Sequence, residues 1–409
     1  MEEMSFWSVY GEAAKTAVGF FWKSGWAFVF GYFVSAMIQA FVPKEKLTRY
    51  MGEPGVKSVS LSTLFGAASS SCSFAALAAA RALVQKGAHF IVAVAFMFAS
   101  TNLVIELGVL IFIFLGWQYL AAELMGGVVL IAISSILISL SYPRRWASEA
   151  RDKVSEESDE EEDFDWRKRI KSREGWFMVG QKFVGDWAMV WEEILIGFTV
   201  AGFVAVLVPA SFWSKIFLSD LANTLPAWLI ALENALIAPF VAAATFIGSM
   251  GNIPLATVLN ANGVLFAGIM GFIYSDLMVP PLVQVNAKYY GWKMALYIAA
   301  TMFVSIVVTA LILNGVFALL GIVPKSSKAI SELTQFKIDY TFWMNLASVI
   351  IVLTLANFRR KYQKLPQAED EHHDMDHNGK IGIKRFIAYL AAGLVAVGLI
   401  VFWLTKVGS

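Results

Sequence analysis

Apolar residues run through the chain in ten long stretches, 17–42, 58–84, 88–116, 120–141, 188–210, 226–262, 263–287, 292–321, 342–358 and 387–404, with short polar breaks between them. Most hold about 20 residues or more, enough for a helix to cross a hydrocarbon core of about 30 Å. They are too long and too uniformly apolar for the alternating strands of a barrel. Backbone groups in lipid must bond within their own segment, so the pattern predicts helices and an all-α polytopic membrane protein.

Two stretches, 58–84 and 226–262, can be threaded in two ways. Each is either one tilted crossing or a pair of legs that enters and leaves on the same side. The polar breaks favour the second. Loops 43–57 and 359–385 carry four and seven Lys or Arg, and the segment 142–187 carries ten. Paired legs put all three on the cytoplasmic side, where basic loops collect, and leave only Lys325 and Lys328 on the wrong one. This threading predicts eight crossings and two re-entrant or broken helix hairpins, with tips at Ala67–Ser73 and Ser249–Pro254.

Composition agrees with the pattern: 58% of the 409 residues are hydrophobic and 15% charged, against about a quarter charged in an ordinary soluble domain. Ten basic and twelve acidic side chains fall in 142–187, whose centre, Glu156 to Asp163, is an acidic run that must be solvated. The expected organisation is a first transmembrane repeat, 1–141; a charged cytoplasmic linker, 142–187; a second repeat, 188–321; and C-terminal helices, 322–409, with a polar loop at 359–386. The halves resemble each other at an offset of 175 residues. Phe114-Leu115-Gly116-Trp117 lies over Tyr289-Tyr290-Gly291-Trp292, and Ala99-Ser100-Thr101 over Tyr274-Ser275-Asp276. Under the paired-leg threading these repeats are inverted, the arrangement that encloses midplane sites in many transporters.

Polar residues inside apolar stretches are the functional candidates. Carboxylates at bilayer depth are costly and tend to face a bundle interior or water, which singles out Glu106 and Asp276. Around them lie Ser100, Thr101 and Asn102 in one half, and Ser275, Gln284 and Asn286 in the other. Asn102 and Glu106, four residues apart, would share one face of a continuous helix; ion pairs of Asp276 or Glu106 with Arg81, Lys86 or Lys288 are the structural alternative. Asn252 and Pro254 offer a polar side chain and freed backbone groups at the second tip, and Cys72 sits in the first. Glu233 could line a path, Glu192 and Glu193 read as a solvated helix N-terminus, and His89 as a cap. Trp7, Trp22, Trp26, Trp117, Trp213, Trp228, Trp292, Trp343 and Trp403 read as interfacial anchors.

Several chemistries are excluded or disfavoured. The single cysteine cannot form an internal disulfide or complete a thiolate metal site. Asp374, Asp376, Asn378 and Gly379 match the start of a calcium loop, but Arg385 stands where its bidentate Glu is needed, so a solvated polar loop is expected. No phosphate-binding loop, nucleophile elbow or dinucleotide fingerprint occurs, so no enzyme and no cofactor are expected, and nothing suggests nucleic acid. The first residues lack a basic flank and cleavage site and do not read as a removed signal peptide.

In this light the chain resembles the two-domain predicted permease family that includes the trivalent organoarsenical efflux permeases. Its first block is similar to Ser70-Ser71-Cys72-Ser73, Ala76, Lys86-Gly87 and Ala95 to Asn102. Its second is similar to Gly251-Asn252-Ile253-Pro254-Leu255, Gly268 to Phe272, Ser275-Asp276-Leu277 and Pro280-Pro281. The departure is that the family's paired thiols are reduced to Cys72, which weakens an arsenical reading because soft metalloids favour thiolates. The resemblance implies a secondary transporter or channel-like permease of the cytoplasmic (inner) membrane, with a metalloid or small anion as candidate solute. Its partners would be the solute, the lipid bilayer and, as a candidate, a second copy of the chain. The alternative function is a membrane scaffold or regulatory subunit recruiting partners through the acidic linker.

Overall fold

The computed structural model describes residues 6–41, 55–69, 73–85, 87–141, 166–221, 224–324, 330–363 and 383–407. Cys72, Lys86, Lys325, Lys328, the acidic run 156–163 and the histidine-bearing part of the 359–386 loop lie outside these. The regular structure among the described residues is all helical, with no strand among them. In chain order the helices are α1 (Phe6–Phe41), α2 (Val56–Ser69), α3 (Ser73–Gln85), α4 (Phe90–Asn102), α5 (Ile105–Phe114), α6 (Trp117–Ser141), α7 (Trp166–Lys171), α8 (Arg173–Leu207) and α9 (Ala210–Ile216). They continue as α10 (Ala227–Thr245), α11 (Ser249–Ala261), α12 (Phe266–Ile273), α13 (Pro280–Tyr290), α14 (Trp292–Leu319), α15 (Ile330–Leu333), α16 (Tyr340–Tyr362) and α17 (Ile383–Val407).

Seven of these are long and apolar enough to cross a membrane: α1, α6, α8, α10, α14, α16 and α17. Two bent pairs, α4–α5 and α12–α13, would each make one further span, bent by 43° and 41°. The sequence reading treats 88–116 and 263–287 as unbroken; both are interrupted.

The scaffold is built on α1 and α8, which run antiparallel along one another. Gln39 at one end of α1 donates to Asp186 near the start of α8 (2.7 Å), and Ala17 near the other end lies against Gly202. Phe198 wedges edge-on between Phe21 and Phe28. Around this pair α2 packs on α4, α10 on α12, α6 on α14 and α11 on α8, and most buried apolar side chains form one contiguous cluster. α16 and α17 lie on the outside of α1 and α8. Asn345 donates to the Trp22 carbonyl (2.8 Å), Tyr10 to the Leu394 carbonyl (2.6 Å), and Lys23 pairs with Asp339 (3.7 Å). Both outer helices keep long exposed apolar faces, as lipid-facing helices do.

The order of element types occurs twice. A long helix (α1; α8, followed in the second half by the short α9) leads to two helices (α2 and α3; α10 and α11), a bent pair (α4–α5; α12–α13) and another long helix (α6; α14).

Two expectations are corrected. The helix assigned to 188–210 begins at Arg173, where the Ser172 hydroxyl accepts from the Gly175 amide (2.9 Å). Glu192 and Glu193 therefore lie in mid-helix, paired with Arg385 (3.0 Å) and Lys384 (2.7 Å), and not at a solvated N-terminus. Among the tryptophans, Trp7, Trp117, Trp228, Trp292, Trp343 and Trp403 are exposed, as anchors should be; Trp213 is buried in α9, and Trp22 and Trp26 are half-buried within α1.

Candidate functional site

The first break separates Asn102 from Glu106. α4 starts on His89, whose Nδ1 accepts from the Ile91 amide (3.3 Å), the capping role expected of it. It ends at Asn102; Val104 is extended and α5 restarts at Ile105. Helix ends leave amides and carbonyls without intrahelical partners, and here two ends face each other inside the bundle. Ser100 donates to the Met97 carbonyl (3.1 Å), and Thr101 to the same carbonyl (3.2 Å). Asn102 donates to the Phe98 carbonyl (3.3 Å) and to Thr101 Oγ1 (3.1 Å), while its Oδ1 has no partner among the described residues. Glu106 is fully buried in the first turn of α5 and seated on Gly31 of α1, where a Cβ would collide with its side chain. The break means that Asn102 and Glu106 do not share a continuous helix face.

The second break is written in the sequence. α12 tightens into a 3-10 turn at Tyr274–Met278, Val279 is extended, and Pro280-Pro281 open α13; proline lacks the amide that the first turn leaves unpaired anyway. Ser275 donates to the Gly271 carbonyl. Asp276 is fully buried; its Oδ2 accepts from the Ser73 hydroxyl at the start of α3 (3.1 Å), and its Oδ1 has no partner among the described residues. Neither Arg81 nor Lys288 pairs with Asp276, while Lys86 lies outside the described residues. Arg81 stacks over the Tyr289 ring (4.5 Å), and Lys288 is exposed. Asn286 is buried, whereas Gln284 points outward and is exposed.

The third element is α11, buried from Ser249 to Asn260. α10 ends at Phe246 in a left-handed conformation (φ 55°), and Gly248 caps α11. The Gly197 and Gly251 backbones of α8 and α11 touch, an approach that no side chain would permit. Pro254 within α11 has no amide to offer the carbonyl one turn earlier. Asn252 is fully buried, and neither its amide nitrogen nor its oxygen finds a partner among the described residues. Asn234 on α10 is by contrast a structural pin: it donates to the Phe217 carbonyl (2.7 Å) and to Glu233 (2.8 Å), and accepts from the Leu265 amide (3.0 Å).

The sequence reading missed Glu123. It lies on α6, 1% exposed, beside the Tyr274 hydroxyl, which donates to the carbonyls of Ala122 (3.1 Å) and Glu123 (3.3 Å). Neither carboxylate oxygen of Glu123 holds a hydrogen bond of normal geometry among the described residues. The available signal was an acidic residue three positions before the Gly126-Gly127 pair in an otherwise apolar segment. Gly126 makes room for the Tyr274 hydroxyl. One turn earlier on the same helix, Tyr119 donates to Asn260 Oδ1 (2.9 Å), tying α6 to α11. Thr309 on α14 is also fully buried, with its hydroxyl unpartnered among the described residues.

Unmet polar atoms on Asn102, Glu123, Asn252, Asp276 and Thr309 are therefore concentrated inside the bundle. Such groups are costly in a low-dielectric interior unless water, an ion or a solute meets them. Among the described residues no set of three or more His, Cys, Asp or Glu is arranged to hold a metal. An apolar groove of about 1210 Å³ opens between α2, the start of α4 and α6, and its inner wall reaches Ala67 and Leu103, next to the first break.

Comparison with known proteins follows the same lines. The family model ArsP_1, described as a predicted permease, matches residues 10–315. The chain is 33% identical over 327 residues to the protein named "Putative permease Rv2963" of Mycobacterium tuberculosis (strain ATCC 25618 / H37Rv), covering 77% of this chain and 79% of that protein. No solved structure matches the chain at a significant level.

Proposed function

The chain belongs to the predicted permease family ArsP_1, and from that premise we propose that it moves a small solute through a central polar path between two inverted repeats. The repeats are 1–141 and 188–321, joined on the cytoplasmic side by 142–187 and followed by 322–409, in the cytoplasmic (inner) membrane. The recurring element order supports this. So do the reciprocal contacts: α5 touches α11 and α3 touches α13, while α1 pairs with α8 and α6 with α14. A two-fold relation between halves would produce that pattern.

The path is lined by Ser100, Thr101, Asn102 and Glu106 from the first half, and by Asn252, Pro254, Ser275 and Asp276 from the second; Cys72, outside the described residues, is assigned to it from the sequence alone. Gln284, being exposed, belongs at the rim. Broken helices supply transporters with free backbone ends at mid-depth, and the two bent pairs provide them. Neither Glu123 nor Asp276 forms an ion pair among the described residues, so a neutral or cationic solute suits this interior better than a free anion. An uncharged metalloid species fits that description.

The observation that carries the proposal is the collection of buried, unpaired polar atoms at and beside the two helix breaks. Purified protein in liposomes, offered a panel of metalloids, cations and neutral solutes with and without a pH gradient, tests it. Uptake above protein-free liposomes that is lost in Asp276→Asn is expected. Absence of flux for every solute, or flux unchanged by Asp276→Asn, contradicts it.

A further inference from the structure

We propose that Glu123 and Asp276, with Tyr274 and Ser73, form a proton-carrying site that couples this permease to a proton gradient. The coupling rests on the permease reading above; the site rests on its own geometry. Asp276 is fully buried and Glu123 is 1% exposed, and they approach from different helices. Tyr274 fixes the approach: its hydroxyl reaches the backbone of Ala122 and Glu123 on α6, and Asp276 follows two residues later in the same 3-10 turn. Through Tyr274 the turn that carries Asp276 is fastened to the α6 backbone at Glu123. Ser73 donates to one oxygen of Asp276, which leaves the other oxygen and both of Glu123 without a hydrogen bond of normal geometry among the described residues.

Among the described residues no compensating cation faces the pair. Of the elements packed on the 3-10 turn and on α6, α4, α11 and α12 carry no titratable side chain. α10 carries Glu233, engaged by Asn234. α5 carries Glu106, seated on Gly31. α13 and α14 carry Lys288 and Lys293, both exposed, with Tyr289 under Arg81, Tyr290 against Phe90 and Tyr297 bonded to Ser141. α6 adds Tyr119, bonded to Asn260. Glu193 on α8 also acts on Asp276 and is itself paired with Lys384.

Charge on both of two carboxylates shut away in one interior is costly, and a proton on either relieves it. A second feature points the same way. Leu313 of α14 lies with the Tyr274 hydroxyl beside Gly126. One turn earlier on that face sits Thr309, whose hydroxyl is buried and unpartnered among the described residues. It can relay a proton or hold a water on the way to the pair. In the cycle, water entering from one side gives a proton to a carboxylate oxygen, neutralising the site. Water from the other side takes it back and restores the charge.

Infrared difference spectroscopy on the full chain in lipid, titrated from acid to alkaline pH, reads the protonated carboxyl stretch directly and needs no known solute. Wild type should show a band that disappears as pH rises. Glu123→Gln and Asp276→Asn should each remove it, the double variant should lose nothing more, and the exposed Glu174→Gln should leave it intact. Should an isosteric variant fail to fold, Tyr274→Phe should shift the band without abolishing it. A band unaltered by all three site variants, or no titrating band at all, overturns the site. Solute flux that ignores a proton gradient while the band titrates overturns the coupling. Absence of any flux would count against the permease reading, while the spectra judge the site independently.

Discussion

Replacing Lys384 with Met removes the partner of a carboxylate that keeps only 5% of its surface exposed. Glu193 sits in mid-α8 with its carboxylate against Gly248, the residue capping α11, so its charge cannot simply turn to solvent. Breaking a buried pair from one side costs about 3–5 kcal/mol, because the remaining charge is uncompensated. Lys384 itself is 38% exposed, which puts the expected loss at the lower end, about 3 kcal/mol. The neighbouring pair is the internal control: Arg385 is 51% exposed, and its bond to Glu192 resembles a surface ion pair, so Arg385→Met should cost about 1 kcal/mol or less. Denaturant unfolding of the purified protein in mixed micelles measures both. The double variant Lys384→Met with Glu193→Gln should recover most of the loss, because it removes the stranded charge. Equal costs for Lys384→Met and Arg385→Met, or no recovery in the double variant, would refute the reasoning.

Three further outcomes are expected. Tyr119→Phe removes the donor that ties α6 to Asn260 of α11 and should cost about 1 kcal/mol in the same unfolding assay, since buried hydrogen bonds between membrane helices are worth about 0.6–1.7 kcal/mol. Gly197→Ala inserts a methyl into the α11 backbone at Gly251 and should destabilise by about 1–3 kcal/mol through overpacking; a neutral result would mean that α8 and α11 are further apart. Gln284→Ala should leave solute flux in liposomes at the wild-type level, because its side chain is exposed, and a loss of flux would move the path.

Much of this architecture was legible from hydrophobic runs alone, because lipid leaves the backbone few choices. The second helix break could be anticipated from Pro280-Pro281. The first could not: Leu103 and Val104 are ordinary apolar residues, and packing rather than local propensity bends the chain there. Glu192 and Glu193 were misread because the partners that neutralise them, Arg385 and Lys384, are nearly two hundred positions away. Glu123 escaped notice for a similar reason. It stands near the start of an apolar run, where an acidic residue looks interfacial, and only the Tyr274 contact reveals that it is enclosed. Candidate residues at the breaks, Asn102, Asn252 and Asp276, were visible because polar side chains are rare within apolar segments. What sequence could not supply was which of their atoms are left unpaired.

The central claim is that these unpaired groups line an aqueous route. With Cys72 replaced by Ser, a single cysteine introduced at position 102 or 252 can be offered a membrane-impermeant maleimide in sealed vesicles. The account predicts modification at both positions despite their burial, slowed by the transported solute, and none at the lipid-facing position 353. Modification at neither position until the protein is denatured would contradict it.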